Sequence, residues 1–185
     1  MKDAKSIFTA ILLILTGCQK ELLPAPEDVK VLEIISEEVD DTFLIRIHLP
    51  TDYAAATATY PVLYQLDGNT TTGSVINNYE KLIEQDLIQE CIIVTIYYTF
   101  QDQRNRDFTP SFRSDFDAES GGADSFLSFL AKELVPLIDS NYRVSQDIGN
   151  TLRGHSLGGL FASYAMFKSA EMAPLGLGLT LIRAL

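Results

Sequence analysis

The sequence is short of the residues that build metal centres and disulfide frameworks. Its 185 residues include two cysteines, Cys18 and Cys91, and two histidines, His48 and His155, scattered without ligand spacing, so no metal site is expected. It also lacks any basic run: 14 Lys and Arg stand against 25 Asp and Glu, for a formal charge of −11. Nucleic-acid binding needs clustered cations to neutralise phosphates, so that class of partner is excluded. Internal repeats and low-complexity tracts are absent. The almost unbroken apolar stretch Ile7 to Leu15 is too short for a membrane-spanning helix.

What remains is the composition of one globular domain, 46% hydrophobic and 21% charged, long enough to bury a core. The first residues stand apart from it. Lys2 and Lys5 precede the apolar stretch, which closes on Leu15-Thr16-Gly17-Cys18. This resembles the bacterial lipobox, whose cysteine becomes the lipidated first residue after cleavage. Residues 1–17 are therefore expected to be a lipoprotein signal peptide, with Cys18 lipidated and the protein exported and lipid-anchored to a bacterial membrane. Residues 18–28, with Pro24 and Pro26, read as an extended tether. Cys91 opens an apolar run and is expected to be a small core residue.

From Val29 onward the pattern alternates strands and helices. Val29 to Ile35 and Thr42 to Leu49 read as strands joined by the acidic turn Glu37 to Asp41, and Pro50 ends the second. Pro61 to Leu66 is a compact strand closed by the turn Asp67-Gly68-Asn69. Val75 to Leu87 has helical spacing, and Cys91 to Tyr98 reads as a strand buried on both faces. Gln101 to Ser120 is polar and expected to be a long loop. Gly121 to Tyr142 is expected to be a helix capped by Asp124 or Ser125 and kinked at Pro136, followed by a strand stub at Thr151 to Gly154 and a helix from Leu157 to Phe167. The order β, β, β, α, β, α, β, α indicates an α/β fold with a mostly parallel sheet covered on both faces.

The chemistry concentrates at Gly154-His155-Ser156-Leu157-Gly158-Gly159. A serine on a sharp strand-to-helix turn, with glycines two residues to either side, is the nucleophile elbow of the α/β hydrolases. The following helix N-terminus favours developing negative charge. Four segments carry a wider resemblance: Tyr60 to Gly68, Arg104 to Pro110, Gly121-Gly122-Ala123 with its helix, and Gly154 to Phe161. Together they resemble the esterase family of α/β hydrolases that groups esterase D-like, enterochelin-esterase-like and mycolyltransferase-like proteins, from about Val29 to Phe167. The resemblance implies a three-layer α/β/α hydrolase fold and Ser156 as nucleophile. It also implies an oxyanion hole from the N–H of Leu157 and that of Gly68 or Asn69. Asp67 would cap its turn, and Arg106 and Asp107 would pair and fix the long loop. The chemistry calls for no cofactor.

The family's order is Ser, then Asp or Glu, then His. After Ser156 the sequence has one acidic residue, Glu171, and no histidine. His155 is expected to be a packing residue and His48 a strand histidine; neither suits the role of base. The family would also continue through further strands after Phe167. Residues 29–185 are thus expected to be an incomplete, C-terminally truncated hydrolase domain lacking the last strands, with strand 150–154 left at an edge and esters hydrolysed negligibly by this chain. Pro174 to Leu181 could supply one substitute strand. The expected partner is a small ester substrate (acyl, glycan or siderophore). Two other readings share the scaffold: an acyltransferase using the same Ser156, and a non-catalytic surface lipoprotein that binds such a ligand.

Overall fold

A computed structural model describes residues 29–171 and 179–181; the expected signal peptide, Cys18 and the tether lie outside them. The strands are β1 (Val29–Ser36), β2 (Asp41–His48), β3 (Val62–Gln65), β4 (Ile92–Tyr97), β5 (Asn150–Arg153) and β6 (Leu179–Leu181). They form one sheet in the order β1-β2-β4-β3-β5-β6. β1 and β2 make an antiparallel hairpin, and β2 pairs antiparallel with β4. The pairs β4–β3, β3–β5 and β5–β6 are parallel.

Side-chain alternation builds two layers on this sheet. Phe43, Ile45 and Ile47 of β2 are fully buried on one face, in line with Val94 and Ile96 of β4 and Tyr64 of β3. That face is covered by α2 (Gln101–Phe108), by a long helical segment and by α5 (Leu157–Glu171). Aromatic packing locks it: Phe43 stacks on Phe129 at 4.4 Å, and Phe126 meets Phe161 at 4.9 Å and Phe108 at 5.7 Å. Each fully buried ring contributes roughly 2–3 kcal/mol. The opposite face carries α1 (Gly68–Glu84), fastened by the Tyr97 hydroxyl to Thr72 at 2.8 Å and by the Cys91 N–H to the Tyr79 hydroxyl at 3.0 Å.

Four local expectations are corrected. α1 starts at Gly68 and not at Val75, because the Thr71 and Thr72 hydroxyls donate back to the carbonyls of Asp67 and Gly68 at 2.8 and 2.7 Å and extend the helix through a segment with no apolar periodicity. The expected loop 101–120 opens with α2, a polar helix whose Gln103 Oε1 accepts the N–H groups of Thr99 and Phe100 at 2.9 and 3.0 Å. The expected single helix is α3 (Ala123–Phe129), a π-helical turn (Leu130–Leu134) and α4 (Val135–Asn141). Val135 N–H bonds to Leu130 O, so the wider turn absorbs the missing N–H of Pro136. Its N-cap is Gly122, with no side-chain cap bond, and Asp124 instead accepts the Tyr164 hydroxyl. Last, β5 is not an edge strand: β3 flanks it on one side and β6 on the other.

Candidate active site

β5 and β3 run side by side and in parallel, with Arg153 opposite Gln65, so the turns that follow them come together at one end of the sheet. After β5 the chain passes Gly154 and His155 and turns into α5 at Ser156, which has φ 54°. A non-glycine residue in the left-handed region is uncommon and is held there by its surroundings. Packing supplies that restraint: a Cβ on Gly154 would lie 2.2 Å from Gly158 O and 2.3 Å from its carbonyl carbon. Gly158 is hemmed in on its other side, with Asp67 Oδ2 3.0 Å and Leu66 Cβ 3.6 Å from where its Cβ would be. Ser156 is left exposed at the top of the turn.

The Leu157 N–H opens α5, and the N–H groups of Gly68 and Asn69 open α1, where no intrahelical acceptor exists. Gly68 abuts the Tyr97 ring, with no room for a side chain. The Asn69 side chain is fully engaged elsewhere: it donates to Tyr98 O at 2.7 Å and accepts the Tyr98 N–H at 2.8 Å, tying α1 to the end of β4. Behind the elbow, Arg153 donates to Gln65 Oε1 at 2.6 Å and Gln65 to the Thr71 hydroxyl at 3.0 Å. The two turns are therefore held by side chains from both strands.

Asp67 does not cap α1 with its side chain, as its sequence context suggests. It occupies a left-handed N-cap position at φ 58°, its carbonyl accepts the N–H groups of Thr70 and Thr71, and its carboxylate turns to α2. There Arg104 grips both oxygens, Nε to Oδ1 at 2.5 Å and Nη2 to Oδ2 at 3.0 Å. Sequence reasoning missed this pair, which spans 37 positions; the Asp-Gly turn was its one visible half. Arg106 and Asp107 do pair, Nε to Oδ1 at 2.7 Å, and Arg106 also reaches Asp41 at 2.9 Å. Asp107 is fully buried, and that burial pushes its carboxyl up to about 6 despite Arg106.

A cleft of about 390 Å³ opens beside Ser156, lined by Asp67, Asn69, Tyr98, Phe100, Arg104 and His155 among others; Ser156 itself is not in its wall. His155 is exposed and faces this cleft, in contrast to the expected packing role. Burial raises the Tyr98 phenol well above its ordinary value, and the Asp107 and Asp67 charges add to it. His48 lies in β2, separated from β5 by β4 and β3, so the structure does not bring it to Ser156. Cys91 is a half-buried free thiol at the head of β4, pushed up to about 12 by burial. Among the described residues no cluster of His, Cys, Asp and Glu could hold a metal ion.

Comparison with known proteins agrees with this architecture. The family model described as "Putative esterase" matches residues 36–172. The chain belongs to that family. Among its curated relatives, ferri-bacillibactin esterase BesA of Bacillus subtilis (strain 168) is 34% identical over 120 residues, covering 56% of this chain and 41% of the relative. The crystal structure of a BES protein from Bacillus cereus superimposes with a TM-score of 0.69 at 30% identity, covering 81% of this chain and 60% of that one. An IroE-like serine hydrolase from Shewanella oneidensis gives 0.67 at 30% identity, covering 80% and 54%. The chain thus spans about half the length of the relatives it matches. Both structures share its mixed α/β fold.

Proposed function

We propose that this chain carries the nucleophile half of a serine carboxylic-ester hydrolase that acts on siderophore-type esters through an acyl-enzyme. The observation that carries the reading is Ser156 at φ 54°, exposed between Gly154, which has no space for a side chain, and Gly158, which is tightly packed. Ser156 Oγ would attack the ester carbonyl carbon. The resulting oxyanion would accept hydrogen bonds from the N–H of Leu157 and that of Gly68 or Asn69, and collapse would expel the alcohol, which takes up the serine's proton by way of solvent, and leave Ser156 acylated for water to hydrolyse. Supporting the substrate class are relatives whose names include ferri-bacillibactin esterase and apo-salmochelin esterase. Arg106 and Asp107 serve to brace α2 beside the cleft.

No histidine follows Ser156 in the 185 residues. Removing the base of a related serine hydrolase costs on the order of 10⁶ in kcat. The chain by itself is therefore expected to hydrolyse p-nitrophenyl acetate at close to the spontaneous rate, with Ser156→Ala hardly slower. Ordinary enzymatic turnover, lost in Ser156→Ala, would contradict the expected inactivity while supporting Ser156 as nucleophile.

The reading extends to residues 1–17 as a lipoprotein signal peptide, residues 18–28 as a tether on lipidated Cys18, and residues 29–185 as a hydrolase domain held outside the cytoplasm. Growth of an expressing bacterium with an alkyne fatty acid should label the protein, and Cys18→Ser should abolish the label. Equal labelling of the variant would overturn the anchor.

A further inference from the structure

The Asp67–Arg104 pair is out of proportion to a surface ion pair. The Asp67 side chain is 8% exposed, and Oδ2 lies 3.0 Å from where a Cβ on Gly158, the second residue of α5, would stand. A carboxylate there sits beside the first turn of α5, at its positive end, and on the residue directly before the Gly68 N–H that is read above as an oxyanion donor. Left bare, it would repel the negative charge those donors are meant to receive. Arg104 reaches across from α2 and covers both oxygens in a bidentate grip, its guanidinium 5.4 Å from the Phe108 ring centroid.

We infer that Arg104 is a positioning residue of the ester-cleaving site: by neutralising and holding Asp67, it leaves the junction of the β3–α1 turn and the α5 N-terminus free to accept an oxyanion. This rests on the reading of Ser156 as nucleophile. Asp67 suits the turn because aspartate tolerates the left-handed backbone that the turn imposes. The arginine then cancels the charge that this choice brings in.

Phenylboronic acid tests the inference on the whole chain without requiring turnover. Ser156 Oγ bonds to boron, the hydroxyl proton passes to solvent, and boron becomes a tetrahedral anion that mimics the oxyanion; ¹¹B NMR titration reads its affinity. Arg104→Gln is expected to weaken binding at least tenfold. The double variant Asp67→Asn with Arg104→Gln, which removes both charges, is expected to recover most of that loss. Arg104→Lys, which keeps the charge but gives up the bidentate grip, should lose only about three- to fivefold and serves if Arg104→Gln does not fold. Circular dichroism melts confirm that each variant compared is folded. An Arg104→Gln protein that binds like the parent would overturn the inference. So would a double variant as weak as Arg104→Gln, or a folded Arg104→Lys with a tenfold loss. Failure of the reading beneath it looks different: the parent forms no tetrahedral adduct, or Ser156→Ala binds as well as the parent.

Discussion

Replacing Gly154 with alanine is expected to destabilise the folded chain by about 3 kcal/mol or more. A Cβ at this position would stand 2.2 Å from Gly158 O and 2.9 Å from Gly159 N, all backbone atoms of the first turn of α5. No rotamer change relieves a clash with backbone; either β5 or the helix must move. β5 is hydrogen-bonded into the sheet between β3 and β6, and α5 is anchored by Phe161, fully buried against Phe126 and Phe108. Gly73→Ala is the matched control. Gly73 lies within α1 with nothing within 4 Å of its Cβ position, so alanine there should stabilise by roughly 0.5–1 kcal/mol through helix propensity. Urea unfolding followed by circular dichroism measures both; similar midpoints for the two variants would contradict the packing described at the elbow.

Arg106→Met should be comparably severe, and its effect should depend on pH. Asp107 is fully buried, and Arg106 holds it with Nε and Nη2 while Nη1 reaches Asp41. Removing the cation from a buried pair leaves an uncompensated charge, at about 3–5 kcal/mol near neutral pH. The carboxyl of Asp107 is raised from 3.8 to about 6 in the folded chain, by burial first, so the fold binds its proton more tightly than the unfolded chain does. Its contribution is therefore full below about pH 4 and is lost as the pH rises through 6, an effect of up to about 3 kcal/mol. Asp41 works in the opposite sense. Burial opposes its charge, but hydrogen bonds from Gln103 and Thr42, with Arg106, hold it below its ordinary value, so its contribution is lost only on strong acidification. Without Arg106 the Asp107 proton binds more tightly still, and the defect of the variant should shrink between pH 7.5 and pH 5. A defect that is constant over that range would show that Asp107 is not the group left unpaired.

The parts legible in the sequence were those in which apolar periodicity and burial coincide. β2 showed itself through Phe43, Ile45 and Ile47, and β4 through a run buried on both faces. The elbow was legible because a strained turn demands glycine at fixed offsets from Ser156. α2 was hidden because polar contacts hold most of it: the Gln103 cap, and Arg104 and Arg106 paired to residues far away in sequence. The start of α1 was hidden for a related reason, since Thr70, Thr71 and Thr72 carry no apolar periodicity and are tied into the helix by their bonds back to the Asp67 and Gly68 carbonyls. The π-helical turn before Pro136 was likewise invisible, because proline signals a break without saying how the backbone will absorb it. At the site, the sequence singled out Ser156 and its flanking glycines, but Asp67 and Arg104 meet only through the fold.

We propose that the elbow selects Ser156 as the reactive serine. Treating the chain with a fluorophosphonate, with imidazole added as an exogenous base, and mapping the adduct by peptide mass spectrometry tests it directly. The expected result is a single adduct on Ser156, formed at least tenfold faster than on any other serine and absent from Ser156→Ala. Label spread evenly over exposed serines, or an undiminished adduct in Ser156→Ala, would contradict it.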